Sequence, residues 1–519
     1  MNRTPLFSII SLNIFLKKYQ FLCLELCARM CINQGKDAKQ ERLKVMITDM
    51  RDIAVFIAFF HVSIVVATVP PCQTCGSPNL SPPAPEAASP EPALTQPVES
   101  PKTVPPCQTC GSPNPSPPAH EAASPEPAPT PSADSPKTSK APKDGVFDIT
   151  EHGAVAGGGT ESSSAFSAAW TAACDYAGKS TFYIPEGRYL VGPISFTGPC
   201  YNNWSPNVEI RGTLLAPISL SAFKSSTWIA FKNLQGFIVT GENETANIDG
   251  QGAAEAWKQF SCEKSDRCKK LITSMDLINV SHATISGITL SNSKGFHLGL
   301  HGSNHINIYN VNITAPKESP NTDGIHVSHS SNINIFSSTI GVGDDCVSIG
   351  PGSSNISISD VQCGPGHGIS VGSLGKYKNE KDVVGISVQN CTIKGTQNGI
   401  RVKTWPGAPP SKASNMTFED IFMINVSNPI IIDQEYCPSH SCNTSEPSLV
   451  KLTDIFVRNI NGTYNTRSAI TLLCSSEVPC ENVQLVNISL NYVVPDSPRQ
   501  GRMSTKGFLN GLQVINSRF

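Results

Sequence analysis

Three aspartates, a histidine and two cations recur in this chain at spacings that could build a reactive centre. Asp323 lies in NTDGIH (321–326), Asp344 and Asp345 in GDDC (343–346), His367 in GHG (366–368), and Arg401 and Lys403 in RVK (401–403). A carboxylate loses hydration when it is drawn beside apolar strands, so acids inside runs of Ile, Val, Ser and Asn need something to offset that cost. Asp323 to Asp344 spans 21 residues and Asp345 to His367 spans 22. If each span is one turn of a repeating chain, these groups stack at one lateral position, about one strand spacing of 4.8 Å apart. Like charges at that distance raise one another's pKa, which can keep a carboxylic acid protonated for general acid work. Arg401 and Lys403, two residues apart, share one strand face, and two cations beside three acids suit an anionic substrate.

Each motif alone has a plainer reading: TDG as a turn, DD as a solvated loop, GHG as a weak signal, RVK as a surface strand. The common offset is what argues for a site. Adjacent Asp344 and Asp345 would point to opposite sides of a regular strand, so Gly343 is expected to mark a bend that turns both into one cleft.

The elements that must position these residues are repeats. HATISGITL (282–290), HINIYNVNI (305–313), NINIFSSTI (332–340), NISISDVQC (355–363), GISVQNCTI (385–393) and NMTFEDIFM (415–423) start 23, 27, 23, 30 and 30 residues apart. Each unit offers short alternating strands and Gly/Asn/Ser turns, and cannot bury its apolar face except by stacking on the next. The expected fold is all-β, a parallel β-helix. A β-sandwich is the structural rival, but repeated phrases with insertions favour the solenoid. One amphipathic helix is expected over Glu161–Ala177.

The folded region is expected over 144–519, where Pro falls and Val, Ile, Phe and Asn rise. Residues 70–143 hold a duplicated Pro/Ser/Ala/Glu segment with a repeat of 35 residues, read as a disordered, polyproline-like linker. Its Cys72/Cys75 and Cys107/Cys110 pairs suit local disulfides or cross-links better than zinc, because little between them could fold. Residues 46–69 read as a signal peptide, with a retained signal anchor as the alternative, since about 17 apolar residues is the lower edge of a spanning helix. Translation is expected to begin at Met46 or Met50, with 1–45 an upstream extension.

Only 15% of the 519 residues are charged and the net charge is −2, which leaves no general basic field for nucleic acid. Eighteen cysteines stand beside Asn-x-Ser/Thr sites at Asn243, Asn279, Asn312, Asn355, Asn415, Asn425, Asn461 and Asn487, a combination that favours a secretory compartment.

NTDGIH, GDDC, GHG and RVK, in this order, resemble the four signatures of the plant polygalacturonases, family 28 of the glycoside hydrolases. The likeness runs over about 145–519 and includes GRYLVGPISFTGPC, IDGQG, CGPGHGISVGSLGKY, NGIRVKTWPG and IIIDQEYC. It implies a right-handed parallel β-helix that hydrolyses the α-1,4 bonds of polygalacturonate with inversion, needs no metal or cofactor, and acts as a secreted, cell-wall monomer. Carried onto matching positions, Asp344 would be the general acid, Asp323 and Asp345 would activate water, and His367 would tune protonation of the acid. Arg401 and Lys403 would hold a galacturonate carboxylate, and Asn321 and Tyr436 would line the subsites. Inversion calls for acid and base carboxyls roughly 6.5–9.5 Å apart. Cys346–Cys363 would staple the catalytic coils, Cys437–Cys442 and Cys474–Cys480 would close small loops, and Cys391 would stay free. SVGSLGKYKNEKDV (370–383) looks like the end-acting plant group, so exo action is expected. Val402 stands where Ile is usual, and GGGTESSSAF near Gly157 lacks an acidic pair common there.

Two rivals are carried forward. A pectate lyase would use Asp-bound calcium and an Arg base for β-elimination. A non-catalytic wall protein would grip pectin with its solenoid and be tethered by its Pro/Cys repeats.

Overall fold

The computed structural model describes residues 145–241, 246–253, 256–259, 271–438, 442, 445–493, 502–507 and 509–519. The expectations for 1–45, 46–69 and 70–143 and for Asn243 fall outside the described residues.

Alternation in the repeated phrases produces strands that stack in parallel. In the first sheet Ser281, Asn304, Ser331, Ser354, Val384 and Ser414 are successive partners. Those offsets reproduce the spacing of the phrases. Three sheets of 14, 11 and 11 strands result, all of their pairings parallel, with each full coil contributing one strand to each sheet: a parallel β-helix. The inward rows are apolar ladders, Ile306, Ile333, Ile356, Ile386 and Met416 in one and Ile308, Ile335, Ile358, Val388 and Phe418 in the next, all buried.

The corners explain the polar residues between these ladders. Asn310, Asn332, Asn355, Asp360 and Asn390 take the left-handed conformation, with φ between 51° and 59°, that Asn and Asp tolerate best among side-chain-bearing residues. Several asparagines bond to the coil beside them, as Asn355 Nδ2 does to Asn332 Oδ1 at 2.8 Å and Asn334 Nδ2 to Asn307 Oδ1 at 2.8 Å. At an inner corner, Ser303 Oγ accepts from the Val280 amide at 3.1 Å and Ser330 Oγ from the Ser303 amide at 3.0 Å, satisfying buried N–H groups that no strand reaches.

The α-helix Ser163–Cys174 covers the first coils. It packs Phe166, Ala169 and Trp170 onto rings that include Phe182 and Phe196, the Trp170–Phe196 centroids lying 4.9 Å apart, and so closes an apolar end that stacking would leave open. It starts two residues later than expected, because the Glu161 carboxylate accepts from the Ser163 amide at 2.9 Å and the Gly192 amide at 2.8 Å, tying the entering chain to a neighbouring coil. Cys174–Cys200 anchors its far end, a pairing not foreseen. Cys346–Cys363, Cys437–Cys442 and Cys474–Cys480 are bonded, and Cys391 is free and buried. No helix among the described residues is long and apolar enough to cross a membrane.

Candidate active site

One sheet carries the reactive groups. It includes the strands Ile325–Ser328, Val347–Ile349, Ile369–Leu374, Asn398–Thr404 and Asn428–Asp433, hydrogen-bonded in that order. Ile325 pairs with Val347 and Val347 with Ile369, each 22 residues apart. Counting back two positions, Asp323, Asp345 and His367 are register equivalents, and Asp344 stands one residue aside. The acids are therefore not in strands: Asp344 and Asp345 occupy the bend before Val347–Ile349, which removes the need to reconcile opposite strand faces. Gly343 is required there by space, since a Cβ would collide with the Ser319 carbonyl oxygen. Its amide donates to Thr322 Oγ1 at 3.0 Å, tying the two acidic turns together.

Asp345 is the anchor. Its Oδ1 accepts from Arg401 Nη2 at 2.8 Å and Ser370 Oγ at 2.7 Å, and its Oδ2 accepts from Lys403 Nζ at 2.8 Å. Burial alone would raise its pKa, but the charges of Lys403 and Arg401, with hydrogen bonds from Lys403 and Ser370, outweigh it and hold the carboxyl at about 2. Within the trio Lys403–Asp345–Arg401, two cations face one ionised carboxylate.

Asp344 is the accessible acid, its side chain 18% exposed against 1% for Asp345. Its Oδ1 meets His367 Nδ1 at 2.9 Å and accepts from the Asp345 amide at 2.9 Å, while its Oδ2 accepts from Asn321 Nδ2 at 3.1 Å. Asp323 is buried and accepts on Oδ2 from Ser348 Oγ at 2.6 Å. Its pKa is raised well above the usual carboxylate range by burial, with the charges of Asp344 and Asp345 adding to the rise. Thus the expected pKa elevation is present, but it falls on Asp323.

The shifts set opposite pH dependences. Asp345, depressed in the fold, contributes stability that is present above about pH 4, its unfolded pKa, and lost as pH falls toward 2. Asp323, raised in the fold, contributes stability present below about pH 4 and lost as pH rises through its folded value. Asp323→Asn is therefore expected to raise the denaturant midpoint at about pH 7, with a gain that shrinks toward about pH 4. A loss of stability at neutral pH would contradict this account of Asp323.

The structure brings together Asn321, Asp323, Asp344, Asp345, His367, Arg401 and Lys403. Tyr436 joins them through its ring, whose centroid lies 5.2 Å from Lys403 Nζ and 5.8 Å from Arg401 Cζ. Three connecting residues were not foreseen: Ser348, Ser370 and His326. His326 Nδ1 lies 2.8 Å from Ser348 Oγ, and because that hydroxyl gives its proton to Asp323, His326 must be the donor to it. Burial and the charge of His301 hold His326 at about 4, so it is neutral near pH 7. The missed signal was register, for Ser348 and Ser370 pair directly and Ser370 pairs with Arg401.

Asp344, Asp345 and His367 bring one possible metal-ligand atom each within 4.8 Å of one another. Those donors are already engaged, His367 Nδ1 with Asp344 and both Asp345 oxygens with Arg401 and Lys403. The side chains themselves supply the positive charge a divalent ion would bring, and they oppose its entry.

A solenoid with a cleft of three carboxylates and two cations is an architecture suited to cutting a charged polysaccharide. The family model of glycosyl hydrolases family 28 matches residues 174–504, and the chain belongs to that family and is a glycoside hydrolase. It is 43% identical to an exopolygalacturonase of Platanus acerifolia over 370 residues, 71% of this chain and 96% of that one. With an exopolygalacturonase of Zea mays it shares 45% identity over 350 residues, 67% of this chain and 84% of the relative. Among solved structures, a polygalacturonase from Erwinia carotovora superposes with a TM-score of 0.55 at 22% identity, covering 71% of this chain and 99% of that one, a likeness of fold.

Proposed function

We propose that this chain is a polygalacturonase that hydrolyses the α-1,4-galacturonosidic bonds of homogalacturonan with inversion, working from a chain end. The observation that carries the reading is the trio Lys403–Asp345–Arg401 set against the accessible Asp344–His367 pair. The names of the Platanus and Zea relatives support the substrate and the end-wise mode.

In this reading Asp344, the exposed acid, gives its proton to the glycosidic oxygen as the bond to the anomeric carbon breaks. A water held by Asp323 and Asp345 attacks the opposite face of that carbon and passes its proton to Asp323. The raised pKa of Asp323, caused first by burial, suits it to take up the proton that the water releases. His367, on Asp344 Oδ1, tunes that acid. Arg401 and Lys403, with positive charge in excess of Asp345, hold the galacturonate carboxylate, while Asn321 and Tyr436 line the subsites.

The protein is proposed to be secreted to the cell wall. The sequon asparagines Asn279, Asn312, Asn355, Asn415, Asn425, Asn461 and Asn487 are exposed, and the disulfides suit an oxidising compartment.

The test is incubation with polygalacturonate in excess chelator, following reducing ends and product sizes. The expected outcome is undiminished release of reducing sugar with monomer as the sole early product. Calcium dependence with an ultraviolet-absorbing unsaturated product would make it a lyase, and binding without cleavage would make it a wall-binding protein.

A further inference from the structure

Beyond Tyr436 the reaction centre continues into a line of ring and cation contacts that the proposed chemistry does not use. Trp405 follows directly on the strand that carries Arg401 and Lys403, and meets Tyr436 edge-on with centroids 5.6 Å apart at 79°. Lys376 Nζ sits 5.2 Å from the Trp405 ring centroid and 5.7 Å from that of Tyr377. Lys376 and Tyr377 are exposed, and Trp405 and Tyr436 are partly exposed.

This line is held in place by its backbone. The Trp405 amide donates to the Leu374 carbonyl at 2.9 Å, and the Tyr436 amide to the Thr404 carbonyl at 3.1 Å. Glu380 accepts from the Gly375 amide at 2.6 Å and the Tyr377 amide at 2.9 Å, fixing the turn that presents Lys376. Gly375 has φ +81°, and a Cβ there would strike Ala408. Among the described residues no carboxylate pairs with Lys376, although this same loop contains Glu380. A surface lysine resting on an aromatic ring is commonplace. What sets this one apart is continuity: the rings lead from the face that receives one carboxylate to a cation placed to receive another.

The geometry points to an extended polymer-binding track in which Trp405 packs against a sugar face and Lys376 pairs with the carboxylate of a galacturonate unit lying past Tyr436. The inference rests on the polygalacturonate reading and deepens it. An enzyme that removes units from one end has little need of binding surface on the side of the released unit, and must hold the polymer on the other. On the Tyr436 side of the centre the described residues alternate ring and unpaired cation, which matches a chain that alternates C–H faces and carboxylates.

The test uses the full chain in the Asp344→Asn background, so that binding is read without hydrolysis. Affinities for digalacturonate and hexagalacturonate are measured by calorimetry at low and moderate salt. Lys376→Gln is expected to weaken hexagalacturonate binding roughly 3-fold and to flatten its salt dependence, and Trp405→Ala to weaken it roughly 10-fold, with digalacturonate changed less than about 2-fold by either. Trp405→Phe should recover most of the loss. Because Trp405 also packs against the core, melting is followed alongside, and exposed Lys376 carries the test if Trp405→Ala does not fold. Equal weakening for both lengths, or no weakening for hexagalacturonate, overturns the track. Failure of the Asp344→Asn parent to bind either oligomer overturns the polygalacturonate reading itself.

Discussion

Asp344→Asn is expected to lower kcat on polygalacturonate by at least ~10², with KM and the unfolding midpoint close to wild type. Asn has nearly the same shape, and its Oδ1 can still accept from the Asp345 amide. It cannot accept from Asn321 on the other branch, so one partly exposed hydrogen bond is lost. What disappears entirely is the transferable proton. Initial rates of reducing-end release check this, and near-wild-type turnover would remove Asp344 from the acid role. Asp323, whose pKa is raised by burial, would then be the rival acid.

Lys403→Met is expected to destabilise the fold by ~3–5 kcal/mol, because it strips one of two cations from a carboxylate that is itself almost wholly buried. Methionine keeps the apolar stem, so packing is largely preserved and the lost charge dominates. The effect should shrink as pH falls toward the Asp345 value of about 2, where the carboxyl begins to take up a proton. Denaturant unfolding of wild type and variant at two pH values measures it. An unchanged midpoint at neutral pH would mean that Lys403 is there only for substrate.

The solenoid was legible because its period is written in apolar residues. The phrase offsets equal the register of the first sheet, and alternating Ile and Val decide which face turns inward. Each phrase covered two strands of a coil. The third, such as Ile325–Ser328 or Val347–Ile349, is short and buried along most of its length, so it lacks the alternation that marks a strand. The acids were legible from their spacing, and the bend expected at Gly343 is present: Asp344 and Asp345 precede the strand, where no period applies, and a Cβ at Gly343 would collide with the Ser319 carbonyl oxygen. Ser348, Ser370 and His326 escaped notice because a serine or histidine in a strand ordinarily faces water. Only the register shows that these point along the cleft toward the carboxylates.

The most direct test of the central claim, that Asp344 protonates the leaving oxygen while Asp323 and Asp345 direct water to the opposite face, is the configuration of the first product. Proton NMR of the anomeric signals during early hydrolysis of trigalacturonate should show β-galacturonate appearing first and the α-anomer growing in only by mutarotation. An α-anomer released first would mean retention, with one of these carboxylates attacking the sugar, and would contradict the account.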